Sequence, residues 1–405
     1  MTLRARRSEL AAAALTLLLA WLVIYPIVIV AADAAHPSAL RDFFTRPGEW
    51  AALWASIWIS LVSVILAAAI GIPLAFLFEW FDFPGRKTLG ALIALPVVLP
   101  PLVGVIAFLF LYGESGFIAR AVQSLLHLQN APWRLQGAVA ILLVHAYSMY
   151  VYFYLFTRAG LAKLDVSMLE AAQALGADAR ATLWRVIVPL LRPSLVGAAI
   201  LTFMTALGSF SAPYIFGGGF RVMTTQIVAT KLNGDLPLAM VETVALAIVA
   251  VAGLIILRRT EGDDILVALG KGIAPRPRPI RRAGVRRLAT ALGWGFTVLL
   301  LLPHLTLLLV SLVPYGAWTT EILPPVINFT NYRRLFSEAE RLRPMWNSLW
   351  MASASTAVAV VIALVGGWLV VRRRVAVRRA IEALLALPWA LPGTEIGRAS
   401  CRERV

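Results

Sequence analysis

From Trp54 to Trp80 the chain reads WASIWISLVSVILAAAIGIPLAFLFEW, twenty-seven residues whose one charged side chain, Glu79, comes next to last. At about 1.5 Å of rise per residue such a run is long enough to cross the ~30 Å hydrocarbon layer of a bilayer. Lipid offers peptide groups no hydrogen-bond partner, so a run of this kind must satisfy its backbone internally, as a helix. Reading outward from it, similar runs occupy 10–32, 89–112, 135–157, 193–216, 237–257, 289–313 and 346–371, and a ninth begins near residue 380. With 60% hydrophobic and 14% charged residues and a mean hydropathy of +0.81, the composition is too apolar for an ordinary soluble domain. The expected fold is therefore all-α, a polytopic membrane helix bundle.

The net charge of +16 is explained by sidedness. With the N-terminus taken as cytoplasmic, the segments on that side carry 24 Lys and Arg and those on the other side carry 10. This asymmetry is the positive-inside pattern of a multi-pass protein of the bacterial cytoplasmic membrane, and it leaves no basic excess that calls for nucleic acid. Arg4, Arg6 and Arg7 precede a first apolar run longer than a signal-peptide core, so that run reads as a span. The last three basic residues, Arg398, Arg402 and Arg404, lie with the lone Cys401 in a polar stretch that interrupts the ninth run. That stretch resembles the translation of a sequencing-library adapter, and 396–405 is expected to be a non-native tail.

The chain also repeats itself. At a constant offset, residues 54–100 fall on 346–392: Trp54, Ser56 and Trp58 meet Trp346, Ser348 and Trp350, and Ala94-Leu95-Pro96 through Pro100 meets Ala386-Leu387-Pro388 through Pro392. Both copies enter from the same side, so the duplication is parallel. The expected organisation is a first six-span unit over 1–257, a cytoplasmic linker rich in charge and proline over 258–288, and a partial second unit over 289–395.

Spans four and five are joined by a segment, 158–192, too long for a simple turn. Leu164 to Leu175 is expected to be helical, with Asp165 or Ser167 capping its start and Gly176 ending it; a second short helix over Ala179 to Val188 is expected to lead to Pro189. The spacing Glu170-Ala171-Ala172, Gly176, then Val186, Val188 and Pro189 resembles the cytoplasmic signature of importer permeases of the ATP-binding-cassette superfamily: Glu-Ala-Ala, three residues, Gly, nine intervening residues, then Ile-x-Leu-Pro. Val186 and Val188 replace the isoleucine and leucine with smaller apolar groups. The resemblance implies a loop that seats in a cleft of an ATPase subunit, with Glu170, Ala171, Ala172 and Gly176 as the docking and turning residues. It also implies an ATPase dimer, an extracytoplasmic solute-binding protein and membrane lipid as partners. No Gly-x-x-x-x-Gly-Lys-Ser/Thr occurs, so ATP is expected on the partner, with no cofactor and no enzymatic site on this chain. A second signature loop is expected after a tenth span; without it, the chain as it stands is expected to engage one ATPase and not to transport.

Within that superfamily the chain resembles fused permeases of the ferric-iron type, with thiamine, phosphonate and polyamine permeases close behind. The residues that carry this are Leu95 to Pro101, Tyr112-Gly113, Gly217 to Arg221 and Thr225-Gln226-Ile227. Ferric iron is the expected solute. Candidate pathway or gating residues are Pro96, Pro100 and Pro101, which free carbonyls inside span three, and the intramembrane His145 and Glu242. His145, His304 and Glu242 lack metal-ligand spacing to one another, and interhelical hydrogen bonding is the alternative role. The tyrosine-rich run Tyr147 to Tyr154 reads as an interfacial belt. A secondary transporter driven by an ion gradient is the rival class, but it has no use for the loop signature.

Overall fold

The computed structural model describes residues 3–259, 277–314, 316, 322–373 and 375–390. Its helices are α1 Leu3–Leu19, α2 Tyr25–Ala34, α3 Pro37–Thr45, α4 Pro47–Trp80, α5 Arg86–Leu92 and α6 Pro101–Tyr112. There follow α7 Phe117–Leu125, α8 Gly137–Leu161, α9 Val166–Ala174, α10 Ala179–Thr182, α11 Val188–Leu207 and α12 Ser211–Phe216. The last are α13 Met223–Leu232, α14 Leu236–Arg259, α15 Ala283–Ser311, α16 Thr330–Ser337, α17 Ala339–Gly367 and α18 Arg378–Ala390. Among the described residues eight helical stretches are long and apolar enough to cross a membrane, and the only strands are a parallel pair, Phe81–Asp82 with Arg278–Pro279. The all-α membrane bundle is thus what the chain forms.

Two compact units result. One comprises Trp50–Gln226 with Val249–Leu308; the other comprises Met1–Glu49, Ile227–Ile248 and Leu309–Val405. They group residues by packing and cut across the sequence copies. Most of the linker, 260–276, and residues 391–405, the expected tail 396–405 among them, lie outside the described residues.

The first of these units is built around α8. Where α4 crosses it, a Cβ on Gly71 would sit 2.4 Å from the Tyr150 carbonyl oxygen, and where α11 crosses it, a Cβ on Gly160 would sit 2.7 Å from the Leu191 side chain. At Gly71 glycine is required because the facing atoms are the backbone of α8 itself, whereas at Gly160 a methyl would press on the side chains of Leu191 and Ser194.

Two spans differ from the continuous helices expected. Span three is broken: α5 stops at Leu92, a 3-10 turn covers Leu95–Val98, and α6 starts only at Pro101. Pro96, Pro100 and Pro101 supply no N–H to the carbonyls a turn behind them. In the break the Tyr150 hydroxyl donates to the Ile93 carbonyl at 2.5 Å and the Tyr154 hydroxyl to the Gly90 carbonyl at 2.7 Å. Both tyrosines are fully buried and Phe153 is buried beside them, so this run is an internal clamp on the break and not an interfacial belt. Span five begins earlier and ends sooner than expected. α10 passes through a π-helical turn, Leu183–Ile187, straight into α11, so there is no separate second short helix; one 29-residue rod runs from Ala179 to Leu207. It stops at Gly208, and α12 resumes from Ser211.

In the other unit α1 packs on α18 and its neighbours through Ala12, Leu15, Leu19, Leu369, Ile381 and Leu384. The Asn331 amide ties off the frayed end of α15 by donating to the carbonyls of Ser311 and Val313 at 3.0 and 2.7 Å.

Candidate functional site

The segment between α8 and α11 forms a helix–glycine–helix corner. The Asp165 carboxylate accepts the Ser167 N–H at 3.0 Å and so starts α9. Gly176 ends it at φ +81°, with nothing within 4 Å of a Cβ placed there, so conformation and not space demands glycine. The Ala177 N–H reaches back to the Ala172 carbonyl at 3.0 Å, the wide bond of a Schellman stop. Asp178 then caps the next helix, accepting the Ala181 N–H at 2.6 Å.

The corner has two faces. Leu161, Leu164, Leu169, Ile187 and Leu191 form a small core beneath it, against which Phe76, Trp80 and Val186 pack. The outer face presents Glu170, Ala171 and Gly176 exposed and Ala172 half-buried, with Leu175 at 89% and Trp184 at 62% exposure. Val186 and Val188 are half-buried and Pro189 lies in the first turn of α11, so the second part of the signature forms the base of the corner and its first part forms the crest. Leu175 and Trp184 were not singled out from the sequence; their exposure is evident only from the fold. At its root, Glu79 pairs with Arg158 at 3.0 Å, and the Arg158 guanidinium also donates to the Tyr154 hydroxyl at 3.1 Å.

The pathway candidates each have their own surroundings. Pro96 is buried, with Pro100 and Pro101 exposed, at the break in span three. His145 is buried between Ser63 and Ser209. His304 meets the Tyr147 hydroxyl at 3.2 Å. Glu242 is fully buried in the other unit, where its carboxylate accepts the Thr230 hydroxyl at 2.6 Å. Among the described residues no three His, Cys, Asp or Glu side chains gather as a metal site.

The fold is that of a multi-pass membrane protein with an exposed helical corner between two of its spans. Residues 67–259 match the family described as the inner membrane component of binding-protein-dependent transport systems. A probable ABC transporter permease protein of Sinorhizobium fredii, y4fN, is 30% identical over 84% of this chain and 60% of its own length. The ferric transport system permease protein FbpB of Actinobacillus pleuropneumoniae is 24% identical over 85% of this chain and 50% of its own. A probable molybdenum ABC transporter permease protein of Haloferax volcanii is 30% identical over 62% of this chain and 90% of its own. The fold matches that of a chain in the structure of a bacterial alginate ABC transporter in complex with its alginate-bound periplasmic protein, at a TM-score of 0.54 and 16% identity over 66% of this chain and 98% of that one. The chain belongs to the ABC transporter permease family of binding-protein-dependent systems. It spans about half to three fifths of the length of its full-chain relatives.

Proposed function

We propose that this chain is the membrane-spanning part of an ABC importer, passing a small solute from an extracytoplasmic binding protein to the cytoplasm while a separate ATPase subunit hydrolyses ATP. The observation that carries this reading is the corner at 166–187, packed on its inner face against Phe76 and Trp80 and exposed along Glu170, Leu175 and Trp184. A crest that is apolar at its tip, on a corner fixed by two caps and a left-handed glycine, is suited to insertion into a cleft on a soluble partner. The rod from Ala179 to Leu207, about 43 Å long at 1.5 Å per residue, continues directly from the corner. Closure of the ATPase pair thus acts along the rod and rocks it against α8, alternating access to a central path. In this reading the N-terminus and the corner face the cytoplasm, and the chain binds no cofactor of its own.

Ferric iron is the solute proposed. The relatives named for ferric transport align with 85% of the chain, across both sequence copies, whereas those named for molybdenum align with 62% of it or less. The shared extent of the alignment is the support for this reading of the solute.

The test is co-purification and stimulated hydrolysis with the cognate ATPase. Glu170→Lys and Trp184→Ala are expected to leave membrane insertion unchanged and to weaken ATPase binding by about tenfold or more, the scale of an interfacial aromatic anchor. Unaltered binding and stimulation in both variants would overturn the docking role.

A further inference from the structure

The rod that rises from the corner ends in a break, and the break is locked. Pro213 has no N–H to offer the Ser209 carbonyl four residues before it, so the helix that would join α11 to α12 cannot close there. That carbonyl is taken instead by the Thr224 hydroxyl at 2.7 Å. The Ser209 side chain in turn meets His145 Nε2 at 2.9 Å, and His145 Nδ1 meets the Ser63 hydroxyl oxygen, also at 2.9 Å. Ser63 already donates its single proton to the Ile59 carbonyl at 2.7 Å. It can therefore only accept from the imidazole, which places the ring proton on Nδ1 and leaves Nε2 to accept from Ser209. The ring is buried and both of its nitrogens are used. A few residues along, Ser56 on the same face of α4 accepts the Met223 N–H at 2.7 Å, anchoring the first turn of α13.

An unbraced break at the end of a lever acts as a loose joint: it absorbs displacement instead of transmitting it. We propose that His145 is a positioning residue that makes this joint stiff, bridging α4 and the α11–α12 break from its place on α8, so that movement of the rod reaches α12 and the loop beyond. It touches no solute and does no chemistry. The proposal rests on the ABC-importer reading for what drives the rod, but the latch itself can be tested without any partner.

The first arm is hydrogen–deuterium exchange on the purified full chain in detergent or nanodiscs. His145→Ala is expected to raise exchange across 208–216 by about tenfold while 188–203 stays as in the wild type. His145→Gln, whose amide also donates at one end and accepts at the other, is expected to restore protection. Ser209→Ala, which keeps the imidazole, is expected to give a smaller rise at the same residues and guards against misfolding of the alanine variant. The second arm is the assembled complex in liposomes, a permease that carries both signature loops together with its ATPase and binding protein. His145→Ala is expected to retain basal ATP hydrolysis within about twofold and to lose about tenfold of its stimulation by the binding protein, with recovery in His145→Gln. Unchanged exchange in both His145→Ala and Ser209→Ala would refute the latch. Loosened exchange with normal stimulation would refute its part in coupling. Failure of the wild-type chain to engage any ATPase would sink the importer reading and leave the exchange result standing on its own.

Discussion

Residues 54–100 and 346–392 carry one sequence pattern twice, yet the structure surrounds the two copies differently. In both, a serine hydroxyl bonds back to the carbonyl four residues earlier: Ser63 to Ile59 at 2.7 Å in the first copy, and its counterpart Ser355 to Met351 at 2.6 Å in the second. Trp54 and Trp346 are equally exposed, at 65%. There the likeness ends. Ser56, Ser60 and Ser63 are all buried, whereas Ser348, Ala352 and Ser355 are all exposed, and Gly366 is the one buried residue along α17. The paired prolines diverge as well, for the helix breaks before Pro96 in the first copy, while α18 runs on through Pro388 to Ala390. A proline removes one donor. Whether the helix then opens depends on what can take up the carbonyls around it, and in the first copy the hydroxyls of Tyr150 and Tyr154 do so.

The sharpest way to break this comparison is at Gly71, whose counterpart is Ala363. Gly71→Ala drives a methyl into the Tyr150 backbone, and we expect a loss of about 3 kcal/mol or more in unfolding measurements, with α4 displaced from α8. The mirror change, Ala363→Gly, lies on an exposed face and should cost about 1 kcal/mol at most, from helix propensity alone. Equal effects at the two sites would show that the copies are held alike. A smaller effect is expected at the clamp: Tyr150→Phe leaves the Ile93 carbonyl without its partner and should cost about 1–2 kcal/mol, visible also as faster exchange over 93–98. The smallest contrast is between Ser56→Ala, which uncaps the Met223 N–H at a cost of about 1 kcal/mol, and Ser348→Ala, expected to fall within about 0.5 kcal/mol of wild type.

How much was legible beforehand varies with the kind of residue. The corner was: Asp165, Gly176 and the Glu-Ala-Ala spacing act within a few residues of chain, and the cap at Asp165 and the stop at Gly176 formed as expected. The second helix of the corner was misjudged because Pro189 read as a boundary, while the chain stays helical through it, passing from a π-helical turn at Leu183–Ile187 straight into α11. Leu175 and Trp184 were missed because apolar residues near a membrane look alike until exposure is known. The tyrosines of α8 were placed in an interfacial belt for the same reason, since their partners, Ile93 and Gly90, lie about sixty residues away.

By itself the sequence determined that the chain is an all-α membrane bundle, the cap and the glycine stop of the corner, and the family, because apolar run length, short-range capping and motif spacing are properties of a few neighbouring residues. Tertiary structure alone decided which serines are buried, which helices break, and that His145 lies between Ser63 and Ser209. Those outcomes depend on which distant backbone or side chain supplies the partner that lipid cannot, and no local pattern encodes it.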